Sequence, residues 1–274
     1  DHEKLRDTIR VAVRALDNDI DINLSPTVPA KTSNLRHRSI GLGVMGYHGY
    51  LMSKMVPFES MMARNIHKEI FTKFAQYARA ASERLGKERG LPLDGGTRRN
   101  SYVTSIQPTA STSFICNEAT PSIEPISGNA CLQKTLSGSF LYKNKHLVNF
   151  LETKGMNTTE IWKQVIADKG SVANVEGLND EERAVFRTAY EMNMREIIQQ
   201  AADRQPAIDQ AQSLNVFFPT PISGKYLNDV HMLAWKLGVK SMYYLRSAAP
   251  INAERIDGTS VKRDVASEEC AVCQ

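Results

Sequence analysis

Residues 101–113 read Ser-Tyr-Val-Thr-Ser-Ile-Gln-Pro-Thr-Ala-Ser-Thr-Ser. The first seven residues predict a short buried strand, because apolar and β-branched side chains are concentrated there. Pro108 ends that strand, since proline has no N–H to give to a sheet. The stretch therefore predicts a strand that leads directly into a turn rich in hydroxyl groups.

Helices and further strands alternate on both sides of this strand. A stripe of apolar residues predicts a long helix over residues 59–85, ended by Gly90 and Pro92. The other predicted elements are a first helix to residue 16, a loop over 17–35, an apolar stretch over 39–44 with a helix to 55, a hairpin over 131–142, helices over 146–150, 157–168, 180–204 and 222–237, and strands over 211–218 and 239–245. This alternation predicts an α/β architecture with mostly parallel strands over residues 1–245. Residues 246–274 are polar and without a clear period, which predicts a flexible tail.

Composition places the chain among ordinary folded proteins. It has 274 residues, of which 42% are hydrophobic and 23% charged, and its formal net charge is +4. The apolar fraction supports a folded core, and the mild charge without a basic stripe argues against nucleic-acid binding. No apolar run approaches the roughly 18 residues of a membrane span, and we find no secretion signal. We therefore expect a cytoplasmic location and no membrane partner.

Residues 41–46 match the pattern Gly-x-Gly-x-x-Gly of dinucleotide-binding folds. Such a site needs a full strand before the first glycine and an acidic residue about 20 positions further on. Only Ser39 and Ile40 precede the motif as strand, and the next acid, Glu59, opens a helix. The favoured interpretation is a tight strand-to-helix passage in which small residues allow close packing. A dinucleotide-dependent oxidoreductase is an alternative.

The turn formed by Pro108, Thr109, Ala110, Ser111 and Thr112 has two interpretations. Its hydroxyls and free backbone N–H groups could donate hydrogen bonds to a phosphate. It holds no Lys or Arg, so an anion would be bound by neutral donors alone. On composition alone, a Ser/Thr-rich capping turn is the favoured interpretation.

Tyr243 and Tyr244 are neighbours near the end of the last predicted strand. Tyrosine is common in strands, which is the simplest explanation of the pair. Two adjacent phenols can also form a relay for electron and proton hops. Because neighbouring side chains of a regular strand face opposite sides, a relay requires the strand to end or twist at this pair.

Cys270 and Cys273 form a Cys-x-x-Cys pair in the predicted tail. Two thiols at this spacing can close a disulfide or supply half of a zinc site. No further His or Cys lies nearby for zinc, and a structural disulfide in a terminal tail would restrain little. Thiol–disulfide exchange is the favoured interpretation, and a linker of about 25 residues spans on the order of 25–30 Å as a random coil. Cys116 and Cys131 are expected to pack as small apolar residues.

Several motifs, taken in order, resemble the C-terminal part of the large subunit of class I ribonucleotide reductases. They are Arg38-Ser39-Ile40-Gly41-Leu42-Gly43-Val44, Gln107-Pro108-Thr109-Ala110-Ser111-Thr112-Ser113, Pro121-Ser122-Ile123-Glu124-Pro125, Ile208-Asp209-Gln210-Ala211-Gln212-Ser213-Leu214-Asn215 and Met242-Tyr243-Tyr244-Leu245-Arg246. The last motif is highly specific. The resemblance implies the C-terminal half of the family's ten-stranded α/β barrel, which would be incomplete without the N-terminal half.

The resemblance also implies an activity, the reduction of ribonucleoside diphosphates to deoxyribonucleoside diphosphates by radical chemistry. The turn from Pro108 to Thr112 would hold the substrate's diphosphate. Tyr244 would receive the oxidising equivalent from the metal-containing small subunit, and Tyr243 would pass it to the active-site cysteine. Cys270 and Cys273 would re-reduce the active-site disulfide and would themselves be reduced by a thioredoxin or glutaredoxin.

One departure from the family pattern limits this expectation. The family's thiyl-radical cysteine, its active-site redox pair and its allosteric site all lie upstream of the matching region. None has a counterpart in these residues, and neither Cys116 nor Cys131 falls at a place to substitute. The resemblance therefore implies activity only together with an N-terminal part of the large subunit, and no metal or cofactor bound by this chain itself. A non-catalytic binding or regulatory module on the same scaffold is the alternative from another class.

Overall fold

A computed structural model describes residues 1–116, 119–135 and 138–247 of the chain. The helices are α1 His2–Ile22, α2 Val28–His37, α3 Tyr47–Ser53, α4 Met61–Arg89, α5 Ala110–Ile115, α6 Lys145–Thr153, α7 Thr159–Ala167, α8 Asp180–Val185, α9 Met194–Arg204 and α10 Gly224–Lys236. The strands are β1 Ala130–Thr135, β2 Gly138–Lys143, β3 Val216–Phe218 and β4 Leu245–Ser247. Two short 3-10 helices, Ala189–Glu191 and Gln205–Ala207, flank α9.

Four extended segments run parallel to one another, side by side and in chain order. Their pairings are Leu42 with Thr104, Ile106 with Gln212, and Val216 with Leu245. Helices α3 and α4 connect the first segment to the second, α5 to α9 lie between the second and third, and α10 connects the third to the fourth. Parallel pairs joined by helices confirm the predicted α/β architecture. Within the described ranges the segments form an open array and no closed barrel.

A larger core lies among the long helices and the third segment. Helix α1 packs along α4, and α9 packs against both α4 and α10. Fully buried side chains from these helices and from β3 meet there, including Val13, Phe71, Ile198, Phe218 and Val230. Burial of this apolar surface is the main favourable contribution to the stability of the fold. The core thus fixes the helices against the array that carries the turn and the tyrosines.

A smaller core lies under the hairpin and the short helices that follow it. Strands β1 and β2 pair antiparallel with Ala130 opposite Lys143, which confirms the predicted hairpin. Its turn at residues 136–137, including the predicted Ser137, lies outside the described residues. Leu147, Leu151 and Trp162 fill this second core.

A buried ion cluster joins α1 to the start of the first segment. Asp17 is fully buried, and it accepts hydrogen bonds from Arg38 Nε at 2.9 Å and Asn100 Nδ2 at 3.1 Å. Arg89, at the end of α4, approaches the same carboxylate to 3.2 Å. Removal of either Asp17 or Arg38 would leave a buried charge without its partner. The cluster therefore holds α1, the start of the first segment and the end of α4 together.

This cluster explains why the predicted loop over residues 17–35 is wrong. Helix α1 continues to Ile22, since its turn at Asp17 faces inward rather than into solvent. A second helix, α2, follows, with the Thr27 side chain accepting the N–H of Ala30 as its N-terminal cap. The predicted long helix over residues 180–204 is also wrong. Its capping box at Asn179 and Glu182 is confirmed, but α8 ends at Val185 and the chain starts again at α9.

The predicted strand over residues 239–245 is mostly wrong. Strand β4 begins only at Leu245 and runs to Ser247, two residues into the predicted tail. Strand length here depends on which residues find a ladder partner, and the partner segment offers only Val216 to Phe218 as a regular strand. The helix before it is confirmed, and Gly238 follows its end with a φ of 74°. Among the described residues, no helix has the length and apolar character that crossing a membrane requires.

Candidate functional site

The turn after the second segment and the tyrosine pair lie at the same level of the array. Ile106 pairs with Gln212, so continuing that register places Pro108 level with Leu214. The N–H of Tyr243 donates to the carbonyl of Leu214 at 2.8 Å. Neighbouring strands are separated by about 4.8 Å, so the turn and the tyrosine backbone lie on the order of 10 Å apart across two segments.

The turn is anchored by Thr109 and leaves its next two hydroxyls open. Thr109 has a left-handed backbone with φ 52°, and α5 begins directly after it. Its Oγ1 accepts the N–H of Ser122 at 2.7 Å, and its carbonyl accepts the N–H of Ser113 at 2.9 Å. Ser111 and Thr112 are exposed. Their hydroxyls, with the N–H groups of the first helical turn, are therefore available to a ligand.

The glycine motif packs against the turn's strand. A Cβ added at Gly43 would lie 2.8 Å from the backbone oxygen of Ser105. Gly46 has a φ of 80° and donates its N–H to the carbonyl of Thr120 at 2.7 Å. Close backbone approach and a left-handed turn both require glycine at these positions. The structure supports the interpretation of residues 41–46 as a packing element.

The two tyrosine rings contact each other in a tilted arrangement and face the same side. Their ring centroids lie 4.0 Å apart, and the Tyr243 hydroxyl donates to the Tyr244 hydroxyl at 3.2 Å. Both residues precede β4, so the alternation of a regular strand does not separate their side chains. This hydrogen bond raises the pKa of Tyr243, against a weaker opposing effect of Arg246. Both rings are half-exposed, and the Arg246 guanidinium lies 5.5 Å from the Tyr244 ring.

A pocket of about 420 Å³ lies next to both features. It is lined by residues from the second and third segments and by residues just before the fourth, namely Ser105, Ile106, Gln107, Gln210, Ala211, Gln212, Ser213, Ser241, Met242 and Tyr243. Gln107 immediately precedes Pro108, so one end of the pocket lies beside the turn, and Tyr243 lines it as well. Amide and hydroxyl side chains line the pocket together with apolar surface, which suits a ligand or a loop that carries both polar and apolar groups.

Sequence reasoning gave no individual role to Glu124 and Asn215, although the structure places both beside the tyrosines. Glu124 is 9% exposed, and its two carboxylate oxygens accept the backbone N–H and the Nδ2 of Asn215 at 2.9 and 3.0 Å. Asn215 Oδ1 in turn accepts the N–H of Tyr244 at 3.0 Å. Burial raises the pKa of Glu124, and the hydrogen bonds from Asn215 oppose that rise. The sequence did contain a signal for Glu124, which is an acidic residue between Ile123 and Pro125. A charged group in an apolar setting seldom lacks a partner.

The cysteines fall outside this site or outside the described residues. Cys270 and Cys273 lie outside the described residues. Cys116 is exposed at the end of α5, so the expectation that it packs as a small apolar residue is wrong, whereas Cys131 is half-buried. In the part of the chain that the structure describes, no three His, Cys, Asp or Glu side chains cluster as metal ligands would.

Comparison with known proteins connects these features to one family. The family model described as "Ribonucleotide reductase, barrel domain" matches residues 1–96 and 94–245. The match therefore includes the turn, the Glu124–Asn215 pair and both tyrosines.

Individual relatives share more than a third of their aligned residues with the chain. A ribonucleoside-diphosphate reductase large subunit of Invertebrate iridescent virus 6 is 39% identical over 90% of this chain and 27% of its own length. A putative large subunit of Frog virus 3 is 37% identical over 98% of this chain and 49% of its own length. The class Id ribonucleotide reductase alpha subunit of Actinobacillus ureae superposes with a TM-score of 0.80 at 36% identity, over 88% of this chain and 46% of that one. The chain spans less than half the length of each.

Proposed function

The chain belongs to the ribonucleotide reductase barrel-domain family, and from that membership we propose that it forms part of the large subunit of a ribonucleoside-diphosphate reductase. Its reaction converts ribonucleoside diphosphates to deoxyribonucleoside diphosphates by radical chemistry. The observation that carries the proposal is the pair Tyr243 and Tyr244, whose rings are in contact at the level of the hydroxyl-rich turn, beside a pocket lined by Gln107 and Tyr243.

In this proposal the turn from Pro108 through Thr109 and Ala110 to Ser111 and Thr112 binds the diphosphate. The exposed hydroxyls and the free N–H groups at the start of α5 are neutral donors. Neutral donors hold an anion without a fixed counter-charge, so the phosphates can be released after the reaction. The anchoring of Thr109 by Ser122 keeps the donors in place before substrate arrives.

The tyrosine pair delivers the oxidising equivalent. When the oxidising equivalent passes from Tyr244 to Tyr243, one electron and the phenolic proton move the opposite way, from Tyr243 to the Tyr244 oxygen. The Tyr243 hydroxyl already donates to that oxygen at 3.2 Å, so the proton can pass directly as the electron moves. The metal-containing small subunit supplies the initial radical. Half-exposure of both rings is consistent with a small subunit docking at Tyr244. From Tyr243 the equivalent continues to a thiyl-radical cysteine in another part of the large subunit.

The dithiol Cys270 and Cys273 returns the electrons. Together the two thiols give up two electrons and two protons to the active-site disulfide and become a disulfide themselves. A thioredoxin or glutaredoxin then reduces that disulfide. This role rests on the chemistry of the Cys-x-x-Cys pair and on the family resemblance.

The remaining partner is the N-terminal part of the large subunit. Within the described residues, the array of parallel segments is open at both outer edges, and unpaired strand edges favour pairing with further strands. We propose that the N-terminal part supplies the other half of a ten-stranded barrel, together with the radical cysteine and the active-site redox pair. A cytoplasmic location stays a prediction.

Reconstitution tests the proposal. The chain is combined with the rest of the large subunit, the small subunit, a ribonucleoside diphosphate and a dithiol reductant, and deoxynucleotide is measured. We expect Tyr243→Phe to abolish turnover, because phenylalanine cannot give up a phenolic hydrogen. The matched control is Tyr50→Phe, which removes an exposed phenol on α3 and should leave turnover unchanged. Unaltered turnover in Tyr243→Phe would instead support a non-catalytic module on the same scaffold.

A further inference from the structure

We infer that Glu124 and Asn215 are positioning residues that hold the tyrosine pair in register with the substrate turn. The roles of the turn and of the tyrosine pair rest on the proposed function, whereas the contacts that connect them do not. Hydrogen bonds join Ser122 to Thr109, Asn215 to Glu124, and Tyr244 to Asn215, and the two residues of backbone from Ser122 to Glu124 complete the connection.

The first half of the connection fixes the loop that carries Glu124. Ser122 donates its N–H to Thr109 Oγ1 at 2.7 Å and takes a left-handed backbone with φ 48°. Its carbonyl accepts the N–H of Tyr47 at 3.5 Å, at the start of α3. Glu124 follows only two residues later, between a buried isoleucine and a proline. The contact between Ser122 and Thr109 therefore fixes the backbone that carries the Glu124 carboxylate.

The second half fixes the side-chain amide of Asn215. An ionised carboxylate can only accept hydrogen bonds, so it orients Nδ2 of Asn215 toward itself. The Oδ1 atom must then point the other way, where it accepts the N–H of Tyr244 at 3.0 Å. A flipped amide would place oxygen against carboxylate and N–H against N–H, and both contacts are repulsive. Glu124 thus selects the one amide orientation that holds Tyr244.

The backbone around the tyrosines depends on this contact. The N–H of Tyr243 donates to Leu214 at 2.8 Å, and the carbonyl of Tyr244 accepts the N–H of Val216 at 3.0 Å. Asn215 lies between those two partners and supplies the bond at the Tyr244 N–H. Its loss would leave a backbone donor without a partner and allow the peptide before Tyr244 to rotate. The 3.2 Å contact between the two phenols would then be lost.

A polarity swap provides the test. In Glu124→Gln the new NH₂ group faces the Asn215 NH₂ group, and in Asn215→Asp two carboxylates face each other. The double variant Glu124→Gln with Asn215→Asp restores every bond, since the glutamine donates to the aspartate and the aspartate accepts from Tyr244. It also keeps the net charge. Glu59→Gln is the matched control, because Glu59 Oε1 likewise accepts a backbone N–H, from Asn193 at 2.8 Å.

The primary measurement needs no enzyme activity. Difluorotyrosine is placed at position 243 of the full chain, and its ¹⁹F resonance and phenol titration are recorded in each variant. We expect each single variant to shift the resonance and to lower the phenol's pKa, because the bond to Tyr244 raises it. The double variant and Glu59→Gln should match the parent. An unshifted Glu124→Gln spectrum overturns the inference. If a single variant does not fold, a double variant that fails to reproduce the parent spectrum overturns it.

Turnover in the reconstituted reductase separates this inference from the proposed function. Each single variant should lower kcat on the order of tenfold or more, because small displacements of reacting groups are costly, and the double variant should recover it. A parent complex without any turnover would count against the proposed function alone, since the ¹⁹F result still decides the role of Glu124 and Asn215. Shifted spectra with unchanged kcat would overturn the link to radical delivery.

Discussion

Replacing His67 with phenylalanine should remove part of the acid sensitivity of the fold. His67 is fully buried in α4, where its ring lies 4.6 Å from Phe71 and 5.1 Å from Tyr47, measured between centroids. Burial lowers its pKa to about 2, and the nearby positive charge of Arg204 adds to that effect. The folded protein therefore keeps this imidazole neutral at any pH at which it is stable.

The sign of the effect follows from proton uptake by the unfolded chain. Histidine in the unfolded chain has a pKa of about 6.5. Below that pH the unfolded state binds a proton at His67, whereas the folded state does not. The contribution of His67 to the free energy of unfolding is therefore fully present above that pH and is lost as the pH is lowered. Between about pH 7 and about pH 4.5 the loss amounts to about 2.5 kcal/mol, at 1.36 kcal/mol per pH unit below the unfolded pKa.

The assay is urea denaturation followed by circular dichroism at those two pH values. The free energy of unfolding of the parent falls with acid through several groups, including His48, whose pKa burial lowers to about 3. In His67→Phe the fall should be smaller by about 2.5 kcal/mol. Any packing strain introduced by phenylalanine is the same at both pH values and cancels in this difference.

The matched control is His231→Gln, which replaces an exposed histidine of α10 and is measured in the same way. An unchanged acid dependence in His67→Phe would refute the reasoning. It would mean that the unfolded and folded states protonate this ring alike, and therefore that water reaches it in the native protein.

Three further outcomes are expected. Asp17→Asn should lower the free energy of unfolding by about 3 kcal/mol in urea denaturation, because it leaves the buried Arg38 short of a counter-charge, whereas the exposed Asp180→Asn should change it little. Asn129→Ala should cost about 3 kcal/mol in the same assay, since two backbone carbonyls lose their donor at 2.9 and 2.7 Å. Sedimentation of the isolated chain should reveal self-association through the open strand edges, and a monodisperse, stable monomer would contradict this.

Local signals predicted some helix ends and the hairpin, whereas two helical regions and the last strand were predicted wrongly. The long helix α4 ends at Arg89, where Gly90 and Pro92 stand in the sequence, and Asn179 forms its capping box with Glu182. Such signals act within one turn of a helix, so the sequence alone contains them. The strand expected over residues 239–245 begins only at Leu245, because a ladder depends on residues far away in the chain.

The sequence by itself determined which chemical groups this protein can use. It contains a hydroxyl-rich turn after a proline, two adjacent phenols and a terminal dithiol, in an order that resembles the family. Only the tertiary structure decided how the first two are arranged. It brings the rings of Tyr243 and Tyr244 into contact just before β4 begins, at the level of Pro108, and connects Tyr244 to Glu124 through Asn215. The physical reason is that parallel register and buried hydrogen bonds join residues about a hundred positions apart, and no local pattern specifies such pairings.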